Sequence, residues 1–268
     1  MKSKITVCLA GATGWAGSAL AKAIADASDI ELVSAVSRRH PGERLGDVIN
    51  KPGLSVRLTS SVSDALDSKP DVLVEYTHPD SAKGHVLAGL ERGSNVVVGT
   101  SGLSDSDYAE IDRVAKDRGR AVLACGNFAI GAVLLQRFAA LAAEHIPHWE
   151  IIDYAHADKI DVPSGTALEL AHRLASISES KLEVPLDQVR GPSGTRGARI
   201  GGSQVHSVRL PGFVISLEVV FGQPDQRLTL RFDAGSSPEP YTAGALLAIR
   251  RVGQLTGLHR GLDSVLKL

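Results

Sequence analysis

Cysteine is scarce. The 268 residues hold two, Cys8 and Cys125. Both lie in apolar runs and read as core thiols, and two are too few for a disulfide framework or a zinc site. Aromatic residues make up only 4%, which argues against the stacking platforms that bind nucleic-acid bases. The formal net charge is −1, so no excess of one sign points to nucleic acid or a membrane surface as partner. No apolar run approaches the roughly 20 residues of a membrane-spanning helix. The N-terminus shares two early lysines and a short apolar run with signal peptides, but here the run ends in Gly11-Ala12-Thr13-Gly14. That is a strand-turn-helix pattern, and the segment reads as the first core strand of a cytoplasmic protein. No His, Asp and Glu set has metal-ligand spacing, and no metal is expected.

Glycine, in contrast, is abundant at 27 residues, which suits tight turns between strands and helices. The length allows one large domain or two smaller ones. Ile5 to Ala10 reads as a buried strand, followed by Gly11-Ala12-Thr13-Gly14-Trp15-Ala16-Gly17 and a helical pattern over Ser18 to Ala27. Ile30 to Val36 reads as the next strand. Strand, glycine turn, helix and strand in this order fit a dinucleotide-binding unit, although an ordinary glycine-rich turn also fits the local sequence. The glycines allow a tight turn and let the backbone approach a pyrophosphate at the helix N-terminus. An NAD-preferring site places an acid after the second strand, whereas this chain has Ser37-Arg38-Arg39-His40. Arginines pair with a 2′-phosphate, so NADPH is the expected cofactor, with NADH as the second possibility.

The alternation continues. Leu54 to Leu58, Asp71 to Tyr76, Asn95 to Val98 and Ala121 to Ala124 read as strands, with helices over Asp80 to Leu90 and Ser104 to Lys116. Such alternation predicts an α/β fold, a Rossmann-like doubly wound parallel sheet. Ligands of these sheets sit at the carboxyl ends of strands. Three small or polar segments fall there: 77–80, 99–102 and 126–129. Each is consistent with a simple turn, and together they are candidates for the rim of one cleft. A helix is expected from Ala129 to about His145 and a strand over Glu150 to Tyr154. Residues 178–203 read as a long loop. Val205 to Arg209, Val214 to Phe221 and Arg227 to Phe232 are expected to alternate as antiparallel strands before a closing helix over Tyr241 to Leu255. The predicted organisation is a dinucleotide-binding domain, 1–128 plus 238–268, interrupted by an α+β domain for substrate binding and oligomerisation, 129–237.

The stretch Asp153 to Ala167, DYAHADKIDVPSGTA, carries most of the chemistry. Pro163-Ser164-Gly165-Thr166 stands where a helix begins. A helix N-terminus offers unpaired N–H groups and a positive dipole end, which suit a carboxylate. Gly165 leaves the backbone open, while Ser164 and Thr166 can cap the helix or donate to an anion. Lys159 adds a cation and His156 a titratable ring. The pattern suits an acidic substrate that must receive a proton, although an ordinary helix cap with surface charges also fits the local sequence.

Nearly the whole chain resembles the dihydrodipicolinate reductases. The resemblance rests on Gly11 to Gly17, Tyr76-Thr77-His78-Pro79, Gly99-Thr100-Ser101-Gly102, Asn127-Phe128-Ala129-Ile130-Gly131 and, most specifically, Lys159 to Ala167. It implies hydride transfer from NAD(P)H to a cyclic unsaturated dicarboxylate of lysine biosynthesis, in a homotetramer. It also implies that Gly11, Ala12, Thr13, Gly14, Trp15, Ala16 and Gly17 hold the pyrophosphate, with Arg38 at the ribose phosphate and Arg39 beside it. Gly99, Thr100 and Ser101, with Gly126, Asn127 and Phe128, would line the nicotinamide half. Ser164, Gly165 and Thr166 would hold a substrate carboxylate, His156 would contact substrate, and Lys159 would donate the proton.

The chain departs from the family pattern at several positions. Of two adjacent histidines, the first is replaced by Ala155, and Asp158 precedes Lys159. A Gly-Glu-His segment is replaced within Val214-Ile215-Ser216-Leu217-Glu218, and Ala129 replaces a serine. These changes support a second expectation, a nucleotide-binding paralogue that has lost catalysis and serves as a sensor or partner protein.

Overall fold

The structure, a computed structural model, describes residues 4–266. In chain order it runs β1 (Ile5–Ala10), α1 (Trp15–Asp26), β2 (Ile30–Val36), α2 (Leu45–Val48), β3 (Leu58–Thr59), α3 (Val62–Ala65), β4 (Val72–Glu75), α4 (Pro79–Glu91), β5 (Asn95–Val98), α5 (Asp105–Asp117), β6 (Ala121–Ala124) and α6 (Ile130–Ala143). It continues through β7 (His148–Ala155), α7 (Gly165–Ala175), β8 (Ala198–Ile200), β9 (Ser203–Arg209), β10 (Ile215–Gln223), β11 (Gln226–Ala234), α8 (Glu239–Val252) and β12 (Gly257–Arg260). Two compact units result. One comprises the chain up to Ile130 and from Pro238 onwards, the other Gly131–Ser237. Residues 1–3 and 267–268, which the sequence assigns to the dinucleotide-binding domain, lie outside the described residues.

The first unit holds a seven-stranded sheet in the order β12-β6-β5-β4-β1-β2-β3, with every pairing parallel. Helices on both faces leave no wet side, so its central strands read as apolar runs. β4 and β6 are buried along their whole length. The chain leaves β1 towards β2 and β3, then returns to β4 on the other side of β1. The order therefore reverses between β1 and β4, where Ala10 lies opposite Glu75. At such a point the two flanking loops diverge and leave a crevice. Helix starts follow their sequence signals. Ser104 accepts from the Asp107 N–H at 3.2 Å, and Asp107 accepts from the Ser104 N–H at 3.0 Å, a reciprocal cap that begins α5.

The second unit holds a five-stranded sheet in the order β11-β10-β7-β9-β8. Burial alternates along β7. Trp149, Ile151, Asp153 and Ala155 face a core shared with Leu135 and Ala139 of α6 and Leu170 and Leu174 of α7. Glu150, Ile152 and Tyr154 point to the other side and are half-buried.

Four sequence expectations need correction. Leu54 to Leu58 is a strand only at its end, since β3 starts at Leu58. The long loop of 178–203 contains β8, stabilised by antiparallel pairing with β9. The late strands do not form one antiparallel run: β7 lies between β9 and β10 and pairs parallel with β9. Finally, α8 is not the last element of the described residues. β12 follows α8 and adds the seventh strand beside β6. Four residues, Gly-Leu-His-Arg, are too short and too polar to announce a strand by periodicity.

Candidate active site

In the first unit, the turn after β1 is shaped by two glycines. Gly11 has φ +85°, and a Cβ there would meet the Tyr76 carbonyl oxygen at 2.0 Å. A Cβ on Gly17 would meet the Gly11 carbonyl oxygen at 2.1 Å. The helix thus packs directly on the turn, and only hydrogen fits at either position. Gly14 caps α1 with extended backbone and no side-chain cap, so Trp15 and Ala16 begin the helix with their N–H groups directed out of its end. Ala12 is buried in the turn. Thr13 reaches across to the end of β2, where its hydroxyl pairs with that of Ser37 at 2.7 Å. This contact ties the end of β2 to the glycine turn, and Arg38 and Arg39, both exposed, follow directly in the chain. The chemistry fits a dinucleotide phosphate: bare backbone, a helix N-terminus and adjacent guanidinium groups.

The three rim segments come together at the ends of β4, β5 and β6. The Thr77 N–H donates to the Thr100 hydroxyl at 3.0 Å. The Tyr76 ring lies over Gly99, where a Cβ would meet it at 1.7 Å. The same ring meets Phe128 edge-on at 5.6 Å, and burial pushes its phenol pKa up. Pro79 lies against Gly102, at 3.1 Å from where a Cβ would stand. Asn127 accepts from the Ala129 N–H at 2.8 Å and shapes the turn between Gly126 and α6. Ser101 lies between these contacts and is exposed.

Sequence reasoning missed one residue beneath this rim. Glu75 is fully buried at the end of β4. It accepts from the Thr77 N–H at 3.2 Å and from the Thr77 hydroxyl, and His85 Nδ1 lies 3.3 Å away. Its Oε2 has no partner. An acid directly after the apolar run Val72-Leu73-Val74 was the available signal.

In the second unit, β7 leads into the loop that precedes α7. The Ser164 hydroxyl accepts from the Ala167 N–H at 3.3 Å and caps α7, as its position in the sequence implies. The same hydroxyl donates to Asp153 at 2.6 Å. Ser164 is therefore buried and acts inside the turn. Gly165 is exposed, and a Cβ there would meet nothing within 4 Å. No packing demand accounts for this glycine. Its space is open to a ligand, and Thr166 stands beside it at the second helical position. Lys159 Nζ pairs with Asp161 at 2.7 Å, and that ammonium holds the Asp161 carboxyl below its usual range. His156 Nδ1 pairs with Asp158, whose carboxyl is lowered by that bond. Lys159 and His156 thus share one loop with the start of α7. Ala155, where the family pattern has a histidine, is fully buried at the end of β7. Among the described residues no cluster of three His, Cys, Asp or Glu side chains is arranged to hold a metal ion.

Known proteins show the same combination. Residues 5–128 match the family described as "Dihydrodipicolinate reductase, N-terminus", and residues 131–266 match "Dihydrodipicolinate reductase, C-terminus". The 4-hydroxy-tetrahydrodipicolinate reductase of Bacillus pumilus is 37% identical over 262 residues, covering 98% of each chain. That of Trichormus variabilis is 38% identical over 277 residues, covering 99% of each. Dipicolinate-bound dihydrodipicolinate reductase from Paenisporosarcina superposes with a TM-score of 0.87 at 29% identity, covering 98% of this chain and 100% of that one. An amine dehydrogenase from Mycobacterium smegmatis superposes with a TM-score of 0.71 at 16% identity, which shows the fold alone. With both units matched in sequence, and relatives alike from end to end, the chain belongs to the dihydrodipicolinate reductase family.

Proposed function

We propose that this NAD(P)H-dependent reductase of the dihydrodipicolinate reductase type uses NADPH to reduce 4-hydroxy-tetrahydrodipicolinate, or a closely related cyclic dicarboxylate, in lysine and diaminopimelate biosynthesis. The observation that carries the reading is the loop from Lys159 to Thr166, which joins a cation to an open helix N-terminus in one short stretch of chain. NADPH, when bound, supplies the hydride. The chain's own residues supply position, charge and a proton. The turn from Gly11 to Gly17 presents the first N–H groups of α1 to the pyrophosphate, and Arg38, with Arg39 beside it, meets the 2′-phosphate. Gly99, Thr100 and Ser101, with Gly126, Asn127 and Phe128, border the nicotinamide half.

In the second unit the N–H groups of Gly165 and Thr166 receive one substrate carboxylate, in a turn that Ser164 shapes. His156 orients the substrate. Lys159 Nζ attracts the dianion and delivers a proton after hydride addition, completing a two-electron reduction of one unsaturated bond. The ion pair with Asp161 keeps the ammonium in place until substrate competes for it. The residues up to Ile130 and after Pro238 then act as the dinucleotide-binding domain, and those between as the substrate domain.

Two further features belong to the same reading. The face of the second sheet away from α6 and α7 carries Ile152 and Val220 beside Glu150 and His206, and a cavity of about 770 Å³ opens there. This mixed surface supports assembly into a homotetramer, which light scattering would register as four chains per particle. The cytoplasm is the compartment that fits a biosynthetic reductase whose two cysteines are buried thiols outside any disulfide.

The test is oxidation of NADPH with freshly generated 4-hydroxy-tetrahydrodipicolinate, with NADH in parallel. Robust turnover with a higher kcat/KM for NADPH supports the reading. Tight NADPH binding with no turnover would instead favour the paralogue motivated by Ala155.

A further inference from the structure

Asp153 is an acid on the core face of β7, 1% exposed. Four donors converge on its carboxylate. The Ser164 N–H lies at 2.9 Å and the Ser164 hydroxyl at 2.6 Å. From β9, the Ser207 hydroxyl lies at 3.3 Å and Arg209 Nη2 at 2.7 Å. Arg209 Nη2 also donates to the Asp161 carbonyl at 2.8 Å. The short segment 161–164 is therefore gripped at both ends, by Arg209 at Asp161 and by Asp153 at Ser164. This segment separates Lys159 from Gly165 and Thr166. Its shape sets the distance between the cation and the helix N-terminus.

We propose that Asp153 is a positioning residue for substrate recognition, acting with Arg209 to hold the Lys159 loop and the start of α7 in the register a dicarboxylate needs. The inference rests on the substrate reading above and deepens it. The chemistry requires a carboxylate. Two anionic oxygens receive all four donors, with Oδ2 shared by Ser164, Ser207 and Arg209. An amide at this position has one acceptor oxygen, and its NH₂ group would face donors. Arg209 Nε is buried without a partner, and the guanidinium is ion-paired with this acid at 2.7 Å. An uncompensated buried cation is costly and would draw other acceptors towards it. Because α7 begins directly after its cap Ser164, release of that residue swings the N–H groups of Gly165 and Thr166 away from their common direction.

The test uses the full chain, with Asp153→Asn beside wild type and dipicolinate as probe. Dipicolinate affinity should fall about tenfold or more, as expected for lost charge-assisted bonds. NADPH affinity should stay within about twofold. In turnover, the substrate KM should rise more than kcat falls. Amide hydrogen exchange should quicken over residues 162–167 and stay unchanged in β1. Arg209→Lys, which keeps the charge but cannot bridge Asp153 and Asp161 with a planar fork, should show the same pattern more weakly. It carries the comparison if Asp153→Asn does not fold. Unchanged dipicolinate affinity and exchange in the variants would overturn the proposal. So would parallel loss of NADPH and dipicolinate binding, which marks a general structural role. If wild type itself did not bind dipicolinate, the substrate reading would fall, and the exchange comparison would still decide whether Asp153 sets this loop.

Discussion

Replacing Gly17 by alanine puts two physical effects in opposition. Gly17 lies in α1 with ordinary helical backbone, and alanine is favoured over glycine in a helix interior by about 1 kcal/mol. Propensity alone therefore predicts a more stable protein. The structure predicts the reverse. The new Cβ would stand 2.1 Å from the Gly11 carbonyl oxygen and 2.9 Å from its carbonyl carbon. Ordinary contact begins at 3.4 Å, so the helix must withdraw by about 1.3 Å along that line. Both sides of the clash are backbone, and no flexible side chain can yield.

Overpacking of this kind costs up to about 3 kcal/mol, and subtraction of the propensity gain leaves about 2 kcal/mol of net destabilisation. At about 2–4 °C per kcal/mol for a chain of this size, the melting temperature falls by about 4–8 °C. The moved turn is the one proposed to meet the pyrophosphate, so NADPH affinity should weaken by about tenfold or more. Gly84→Ala is the control. Gly84 is an exposed residue within α4 where a Cβ meets nothing within 4 Å, so this variant should melt at or above the wild-type temperature. Thermal melts and NADPH titrations of both variants suffice. A Gly17→Ala protein that melts no lower than wild type and binds NADPH equally would refute both the close packing and the placement of the pyrophosphate.

Arg38→Ala should raise the KM for NADPH about tenfold and leave that for NADH nearly unchanged, because only the former offers a 2′-phosphate; equal effects on both would place Arg38 elsewhere. Lys159→Ala should lower kcat about 10²–10⁴-fold with NADPH affinity and melting temperature retained, measured by steady-state kinetics and calorimetry. Asp107 is held down to about 2 by hydrogen bonds from Lys83 first and then Ser104. A depressed carboxyl contributes stability that is present above its unfolded value of about 3.9 and is lost as pH falls towards the folded one. Asp107→Asn should therefore lower stability at neutral pH and flatten its loss between about pH 4 and 2, as read by denaturant melts across that range.

Much of the site was legible because its chemistry is local. Gly11 to Gly17 carries its turn and helix start, and Lys159 to Thr166 its turn, helix start and charges, within a few neighbouring residues, and the helix caps at Ser104 and Ser164 follow from short spacings. The parallel sheet was legible because strands covered on both faces must be apolar throughout. What escaped sequence reading depends on partners far apart in the chain. β7 pairs with β9 across 54 residues, Asp153 meets Arg209 across 56, and β12 finds its place only because the edge of β6 accepts it. Glu75 reads as an oddity in a strand until Thr77 and His85 close around it.

Residue type and local spacing thus specified the alternation of strands and helices, the turns at 11–17 and 159–166 and the groups that bear charge. Folding settled which strands became neighbours, which hydroxyl was consumed inside a turn and which buried acid grips the segment 161–164. Periodicity and capping act over a few residues, whereas strand pairing and the compensation of a buried charge depend on groups that meet only once the chain has folded.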